Sequence, residues 1–460
     1  MSLFLSFCPD CFEKQRRIDQ LEEENRRLKQ QLRYRQEKEK EGFFGSATSS
    51  AKLPVKANSP AERQAQRGGA QKGHPGHGRQ AIEPSQAARV VDVPLESSCP
   101  QCGGQLEDKG FRSRSVLEIP PPRPQPLVYR LQKRWCPHCQ KAFQSQAPSV
   151  LPKALFGNQL TVQILWWHYL HGIPLGRISE QMGLEIGSLI GMLHRLAGLF
   201  QPVVPRLIEQ YRQAPVRHAD ETGWRTDGHS GYAWLFCTPQ LSIFLFRHTR
   251  SAAVPREIFR DKPLAGYLVV DRYNGYNRVL CRLQYCYAHL LREVEDLAKE
   301  FPDHREVIAF TAVLIPLLAA AMHLGHQPLS DDQYYQQAAE IKQQILTVTQ
   351  QPAQHLGIRR IQDIFRDHAD RLYHWADNRL VPADNNRSER ELRPTVIARK
   401  VSFGSQSEEG AKTREVLMTV LHTLKKRHPQ PEEHLKRVFD QLAADIQQDP
   451  FPLLFPNDSS

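Results

Sequence analysis

The middle of the chain alternates between strand and helix patterns, and this order restricts the possible fold more than any other feature of the sequence. Short apolar or alternating runs predict five strands, at residues 215–219, 232–238, 241–248, 267–270 and 284–287. The first three follow one another through short turns, a helix near residues 253–260 precedes the fourth, and another helix follows His289. We therefore expect an α/β domain in this part of the chain.

Three acidic residues lie at the ends of these predicted elements. Asp220 follows the first strand, in a run typical of a strand end and a glycine turn, and Asp271 ends the apolar strand 267–270. Glu389 lies in a helix whose start is marked by good N-cap residues at 384–386. The order of elements is that of a ribonuclease H-like fold, which brings the three acids to one edge. Helical patterns over about residues 300–376 predict an all-helical insertion between the second and third acid.

Three carboxylates that converge in a cleft predict a metal-dependent phosphoryl-transfer site. Hard oxygen ligands of this kind suit Mg²⁺ or Mn²⁺. A pair of such ions activates water or a 3′-hydroxyl on one side and stabilises the leaving oxygen on the other. The alternative is that these are solvated acids at loop ends. That explanation is credible for any one of the three, but it explains poorly why all three occur in the order that a ribonuclease H-like fold requires.

The charge of the chain favours an anionic partner. Lys and Arg outnumber Asp and Glu by 61 to 50, which gives a formal charge of +11 and suggests nucleic acid. A basic surface that is merely solvated remains the alternative. No membrane span is expected, because the longest apolar run, residues 310–322, is short and contains Pro316, which favours a buried core helix. No signal peptide is visible at residues 1–7.

Six of the nine cysteines form CxxC pairs, which favours thiolate–metal chemistry in a reducing compartment. Two pairs close enough in sequence to share one structural Zn²⁺ are predicted to form a zinc-ribbon-like module, although the 33 residues between them exceed the usual spacing. Those ligands are Cys99, Cys102, Cys136 and Cys139. The third pair, Cys8 and Cys11, supplies only two ligands, so a metal site shared by two chains and an exposed thiol pair both stay open.

Two helical regions outside the central domain suggest contacts with other molecules. Residues 14–40 place Ile18, Leu21, Asn25, Leu28 and Leu32 at heptad positions, which predicts a coiled coil and a homodimer or higher oligomer. An amphipathic helix that packs on its own chain is equally compatible. Residues 175–195 have a helix-turn-helix shape around Gly183, in which Ser188 and Arg195 would face a DNA groove. A plain pair of packed helices is the alternative.

The residues around the acids resemble the catalytic motifs of the IS66-family DDE transposases. The matching segments are residues 220–224, 271–276, 286–292 and 385–394. The third segment departs slightly from the family pattern, with a Tyr and a Leu where we expect Trp and a basic residue. The resemblance covers nearly the whole chain, because those proteins also carry an N-terminal coiled-coil-like helix, a Gly/His-rich linker, a zinc-binding module and a short C-terminal domain.

The resemblance implies an enzyme that cleaves transposon ends and transfers the strands to target DNA without a covalent protein intermediate. It implies that Asp220 and Asp271 are shared ligands of two Mg²⁺ or Mn²⁺ ions and that Glu389 binds the second ion. It also implies a bacterial, cytoplasmic, nucleoid-associated protein. Related elements commonly encode small accessory proteins, and the need for them stays open here. The competing functions are a zinc-containing DNA-binding protein that has lost catalysis and a nuclease that cuts without joining.

Several residues near the three acids are predicted to assist the reaction or to have structural roles. Arg390, Arg393 and Lys400 are predicted to contact DNA phosphate. His289 is predicted to lie at a strand end and to position water or DNA, although a structural histidine is an equal alternative. Among the neighbouring acids, Asp384 is explained as an N-cap, whereas Glu221 and Glu391 are expected to point away from the site.

The predicted domain boundaries follow from these features. They are a CxxC pair with a coiled-coil helix (1–40), a flexible basic Gly/His-rich linker (41–88), the zinc-binding module (89–150), a helix-turn-helix-like DNA-binding region (151–213), a ribonuclease H-like catalytic domain with its helical insertion (214–405) and a C-terminal helical domain (406–460).

Overall fold

The structure is a computed structural model that describes residues 123–456 continuously, together with residues 17, 84–86, 90, 101, 102, 105 and 107. The chain divides into two compact units, one of residues 1–52 and 124–460 and the other of residues 53–123. Several predictions therefore lie outside the described residues: the Cys8/Cys11 pair, the coiled coil apart from Arg17, most of the linker, and Cys99.

A small hairpin opens the continuous part of the chain. Strands β1 (Lys133–Cys136) and β2 (Lys141–Gln144) pair antiparallel, with Cys136 opposite Lys141. The turn between them contains Cys139 and is closed by Gln140, which has a positive φ of 53°. The second CxxC pair therefore lies at the tip of a tight hairpin.

Four helices follow the hairpin. Helix α1 (Asn158–Leu165) continues into a π-helical turn (Trp166–Leu170), and α2 (Leu175–Met182), α3 (Ile186–Phe200) and α4 (Val203–Gln213) come next. Helix α2 ends at Gly183, whose left-handed conformation (φ 64°) stops the helix and turns the chain into α3. The predicted helix–glycine turn–helix order is thus present, and its use in DNA binding stays a prediction.

The centre of the molecule is a five-stranded mixed sheet, which confirms the mixed α/β class. Its strands lie in the order β5-β4-β3-β6-β7, with β3, β4 and β5 antiparallel and β6 and β7 parallel to β3. The strands are β3 (Val216–Thr226), β4 (His229–Cys237), β5 (Ser242–Arg247), β6 (Tyr267–Val270) and β7 (Arg282–Tyr285), and a short helix α5 (Ala253–Phe259) connects β5 to β6.

Strand β3 is longer than the sequence predicts, so the expected strand end at Asp220 with a turn at Gly223 is wrong. Gly223 is paired with Tyr232 of β4, and the hairpin turns only at Asp227 and Gly228, which have positive φ angles of 50° and 73°. Two consecutive positive φ angles are typical of the tight turns that join antiparallel strands. The pairing of β3 with β4 continues from His218 to Thr226, so Asp220 lies in the middle of the strand.

The parallel strand β6 depends on one glycine. Gly266 has a φ of 81°, and a Cβ atom there would lie 2.3 Å from the carbonyl oxygen of Pro215. A side chain at this position would therefore push apart the starts of β3 and β6. The close approach fixes the register in which Val216 pairs with Tyr267 and His218 with Val269.

Helices cover both faces of the sheet. Successive side chains along each strand point to opposite faces, and each face forms its own hydrophobic core. In β4, Trp234 and Phe236 face one core, and Leu235 and Cys237 face the other. The first core contains helices α6 (Tyr287–Glu300), α7 (Arg305–Leu324), α8 (Asp331–Gln350), α9 (Leu356–Asp367) and α10 (His374–Asp377). The second contains α1 to α4 with α12 (Glu408–Arg427), α13 (Pro431–Ala444) and α14 (Pro450–Leu454). Helix α11 (Asn386–Ser402) packs against β3 and β4 on the side of the second core.

Helix α7 is the apolar segment noted in the sequence. By length and composition it is long and apolar enough to cross a membrane, and 39% of its most apolar 18 residues are buried within the described structure. Val307, Leu314 and Leu318 belong to the core shared with the sheet. The helix therefore packs as a core helix between α6 and α8, with Pro316 on its exposed side.

Two buried histidines are expected to make the fold sensitive to acid. Burial, followed by the positive charge of Arg414 near His168 and of Lys425 near His422, lowers the pKa of each histidine to about 3. Each imidazole thus stays neutral in the folded protein but takes up a proton in the unfolded chain below about pH 6.5, so stability is complete above that pH and is lost as the pH falls towards 3. At pH 5.5 the loss is about 1.4 kcal/mol per histidine.

Guanidinium unfolding of wild type and of His422→Leu, at pH 7.5 and pH 5.5, checks this expectation. The variant is expected to lose about 1.4 kcal/mol less than wild type over that interval, because leucine cannot bind the proton. An equal loss in both proteins would show that His422 titrates normally.

Candidate active site

The site lies where β3, the end of β6, the start of α6 and the start of α11 meet. Asp271 follows β6 directly, and β6 pairs with β3 so that His218 lies opposite Val269. Extending that register by two residues places Asp220 opposite Asp271, on strands that run about 4.8 Å apart. The parallel pairing thus brings the first two acids together from positions 51 residues apart in the chain.

Asn385, at the start of α11, ties the third acid to the same edge. Its Nδ2 donates a hydrogen bond to the carbonyl oxygen of Ala219 (2.8 Å), and its Oδ1 contacts Nδ1 of His218 (3.0 Å). Its backbone N–H donates to Sγ of Cys286 (3.1 Å), which is the residue that precedes α6. Glu389 follows in the first turn of α11, so its position is set by contacts to β3 and α6.

The acids lie close enough to repel one another. Burial, followed by the negative charges of Glu221, Asp271 and Glu389, raises the pKa of Asp220 well above its usual value. Burial and the charge of Asp271 raise the pKa of Glu221 to about 7, against the opposing effect of Arg250. Carboxylates that raise each other's pKa in this way leave negative charge uncompensated, which a cation would stabilise.

Among residues 123–456, no three His, Cys, Asp or Glu side chains form a ready-made ligand group around one point. Two arginines hold the acids instead. Nη2 of Arg292 donates to Oε1 of Glu389 (3.2 Å), and Nη2 of Arg250 lies 3.9 Å from Oδ2 of Asp271. The chemistry of the donor set, all carboxylate oxygen, fits Mg²⁺ or Mn²⁺.

Glu221 is a fourth acid of the site, which corrects the expectation that it points away. Its Oε1 accepts a hydrogen bond from Nε of Arg250 (2.8 Å) and forms an ion pair with Nη2 of the same side chain (2.7 Å), and its Oε2 accepts a hydrogen bond from the Tyr276 hydroxyl (2.5 Å). The ring of Tyr273 lies beneath the Arg250 guanidinium, 4.2 Å from its centroid. Glu221 lies on the face of β3 opposite to that of Asp220. Arg250, which lies 2.7 Å from Glu221 and 3.9 Å from Asp271, links these two acids, a partnership that local sequence does not reveal.

Two residues of the third motif lie at the start of α6. His289 lies in the first turn of α6, not at a strand end, because the chain enters the helix at Tyr287. It is half-buried, and burial together with Arg292 lowers its pKa while Asp271 and Glu389 oppose that change. Cys286 is buried and accepts the Asn385 hydrogen bond, so it serves to connect α6 and α11.

The two remaining acids lie apart from the cleft, as expected. Asp384 Oδ1 accepts a hydrogen bond from the backbone N–H of Asn386 (3.0 Å) at the start of α11. Glu391 Oε2 accepts from Ser242 Oγ (2.8 Å) and from Lys426 Nζ (2.7 Å) on the opposite side of the helix.

The candidate DNA-binding residues lie on two surfaces. Arg390, Arg393 and Lys400 are exposed on one face of α11, three and seven residues apart. In α3, Arg195 is exposed and its Nη1 donates to the carbonyl oxygen of Lys153 (2.7 Å), whereas Ser188 is only half-exposed. A groove contact by Arg195 would therefore replace an internal hydrogen bond.

Cys136 and Cys139 of the candidate zinc module lie at the tip of the β1–β2 hairpin. Hydrogen bonds from the backbone and side chain of Cys139, and then from the backbone of His138, lower the pKa of the Cys136 thiol. Backbone N–H groups that point at a thiol favour the thiolate, which is the form that binds zinc. Cys102 lies in an exposed turn.

Comparison with known families places this mixed α/β protein, with its cleft of acidic residues, among the transposases. Residues 153–413 match the model of the transposase IS66 family, and residues 96–140 match that of the zinc-finger binding domain of transposase IS66. The first match covers more than half of the chain. The chain belongs to the IS66 transposase family.

Two curated relatives are similar over most of their length. The uncharacterized protein y4jD of Sinorhizobium fredii (strain NBRC 101917 / NGR234) is 22% identical over 399 residues, which cover 77% of this chain and 76% of the relative. The uncharacterized protein y4hP of the same organism is 24% identical over 413 residues, 77% of this chain and 72% of the relative.

Proposed function

We propose that this chain is the transposase of an insertion sequence, which binds the ends of its element and catalyses metal-dependent strand cleavage and strand transfer. The observation that carries the proposal is the β3–β6 register, which sets Asp220 beside Asp271 in a chain of the transposase family. The strand order, with three antiparallel strands followed by two parallel ones, supports a ribonuclease H-like catalytic domain over residues 214–405.

Asp220, Asp271 and Glu389 are the proposed ligands of two Mg²⁺ or Mn²⁺ ions, the first two shared between the ions. When bound, these ions supply activation of the attacking hydroxyl and stabilisation of the leaving oxygen. The chain itself orients the ligands. The backbone N–H of Tyr273 donates to Asp271 Oδ1 (3.0 Å), which fixes that carboxylate, while Asn385 fixes the start of the helix that carries Glu389.

The proposed DNA contacts surround this cleft. The α11 face with Arg390, Arg393 and Lys400 would bind phosphate. These exposed side chains are positively charged and lie on one face of the helix, where they can contact a DNA backbone together. The α2–α3 pair, with Ser188 and Arg195, would contact a groove. The charge of +11 supports both contacts, since phosphate neutralisation dominates DNA affinity.

The rest of the proposal concerns assembly. Cys99, Cys102, Cys136 and Cys139 are proposed to bind a structural Zn²⁺, supported by the zinc-finger match over residues 96–140. Residues 14–40 are proposed to form the dimer coiled coil, with Cys8 and Cys11 as a possible second metal site. The proposal also includes the domain boundaries predicted from the sequence. It further includes a cytoplasmic location and accessory proteins of the same element as partners.

A cleavage and joining assay tests the proposed activity. The purified full-length chain is incubated with Mn²⁺ or Mg²⁺, labelled duplex DNA from the ends of its element, and a supercoiled plasmid. We expect nicks at the element ends and covalent joining of those ends to the plasmid. Binding without any nick would leave a DNA-binding protein that has lost catalysis, and nicking without joining would leave a nuclease.

A further inference from the structure

Two arginines, Arg250 and Arg292, occupy the cleft together with the acids, and neither belongs to the proposed ligand set. Arg250 lies between Glu221 (2.7 Å) and Asp271 (3.9 Å), and Arg292 donates to Glu389 (3.2 Å). Their side chains are 43% and 39% exposed, whereas that of Glu221 is 1% exposed. The cleft arginines therefore contact acids on one side and solvent on the other.

The net charge of the cleft with metal bound matches the charge of a phosphodiester transition state only when both arginines are counted. Four carboxylates and two guanidinium groups carry a formal charge of −2 when all are ionised. Two divalent cations would change that charge to +2. A phosphodiester attacked by a deprotonated oxygen carries two negative charges in the transition state, so the loaded cleft with both arginines would neutralise it.

We propose that the cleft arginines hold the acids while no cation is bound and turn to the DNA phosphate when cations bind the acids. This inference rests on the proposed function, because it concerns the same site. The exchange accounts for the absence, within residues 123–456, of a ready-made ligand group: Glu389 is engaged by Arg292, and Asp271 faces Arg250.

The two arginines differ in how far they must move. Arg292 loses a direct hydrogen bond when a cation takes Glu389. Arg250 is anchored to the buried Glu221 by one hydrogen bond and an ion pair, and Tyr276 holds Glu221 in turn. Arg250 therefore stays beside the cleft and gives up only the longer contact to Asp271. Arg292 is therefore the stronger competitor of the cation, and Arg250 needs the smaller movement to reach a phosphate once a cation has taken Asp271.

Mn²⁺ binding to the full-length chain without DNA, measured by calorimetry at pH 8, tests the first half of the exchange. We expect Arg292→Gln to bind Mn²⁺ about fivefold more tightly than wild type and Arg250→Gln about twofold more tightly, because a competing cation has been removed. Arg250→Lys keeps the charge and is expected to match wild type. Arg256→Gln, which breaks an exposed ion pair with Asp261 (3.0 Å), is the matched control and should change nothing.

DNA affinity tests the second half. Binding of duplex DNA from an end of the element is measured over a series of KCl concentrations, with EDTA or with saturating Ca²⁺, which takes the same oxygen ligands. With Ca²⁺, each glutamine variant is expected to reduce the salt slope by about one phosphate contact relative to wild type. With EDTA, we expect the slopes of variants and wild type to agree, because the arginines are then engaged by acids.

The outcomes separate this inference from the proposed function. Unchanged or weaker Mn²⁺ binding in both glutamine variants would overturn the exchange, and so would salt slopes that do not depend on Ca²⁺. Asp271→Asn serves as the reference, since it should abolish tight Mn²⁺ binding. If Asp271→Asn binds Mn²⁺ as wild type does, the metal site itself is wrong. Thermal unfolding of each variant without metal verifies that it is folded.

Discussion

Replacing Asp271 by asparagine is expected to lower the rate of strand cleavage at element ends by a factor of about 10³ or more. An amide of the same size is neutral and is a poor ligand for a hard cation, so the variant would lose the charge that holds the shared ion. The shape of the residue is retained, and its Oδ1 can still accept the Tyr273 hydrogen bond. The effect should therefore fall on metal binding and catalysis, and leave the fold and the DNA affinity measured in EDTA in place.

The measurement is single-turnover cleavage of labelled end DNA, with DNA affinity measured in parallel. Asp261→Asn is the control, because Asp261 is an exposed acid that pairs with Arg256 outside the cleft. Cleavage by Asp271→Asn within tenfold of wild type would contradict the assignment of this residue. Equal losses of cleavage and of DNA binding would point to misfolding, which thermal unfolding detects.

Replacing Cys136 by serine is expected to remove one zinc ion per chain and to weaken binding of end DNA by at least about tenfold. The hydroxyl of serine does not ionise near neutral pH, whereas the hairpin favours the Cys136 thiolate through backbone N–H groups. A module of this size relies on its metal for folding free energy, so loss of one ligand would unfold the module and remove its DNA contacts.

Zinc content by mass spectrometry and DNA affinity by gel shift check this expectation. Cys281→Ser provides the control, since Cys281 is a partly buried cysteine outside the CxxC pairs. The control should retain all of its zinc. Unchanged zinc content in Cys136→Ser would show that this pair is not a ligand pair.

The parts of the fold that depend on local pattern were accessible from the sequence. The apolar run at residues 267–270 coincides with β6, and the helix expected near residues 253–260 is α5. Both are short elements bounded by clear turn residues. The end of β3 was missed, because pairing with β4, a contact between distant residues, decides where that strand stops.

In the candidate site, too, sequence pattern indicates the features that are local and misses those that depend on contacts between distant residues. The three acids were visible because sequence pattern places each at the end of a predicted strand or in the first turn of a predicted helix, although Asp220 lies in mid-strand in the structure. Glu221 was set aside, because its alternation away from Asp220 is a local fact, whereas its partners Arg250 and Tyr276 lie 29 and 55 residues along the chain. The anchoring of α11 by Asn385 spans 166 residues to Ala219 and has no local signature.

The most direct test of the central claim is the position of Mn²⁺ in crystals of the full-length chain, located by anomalous scattering at the manganese edge. We predict a peak between the carboxylates of Asp220 and Asp271, and a second peak beside Glu389 when end DNA is bound. Both should be absent from Asp271→Asn. Manganese bound elsewhere, or no peak at these carboxylates at saturating Mn²⁺, would contradict the assignment of the three acids as the catalytic metal ligands.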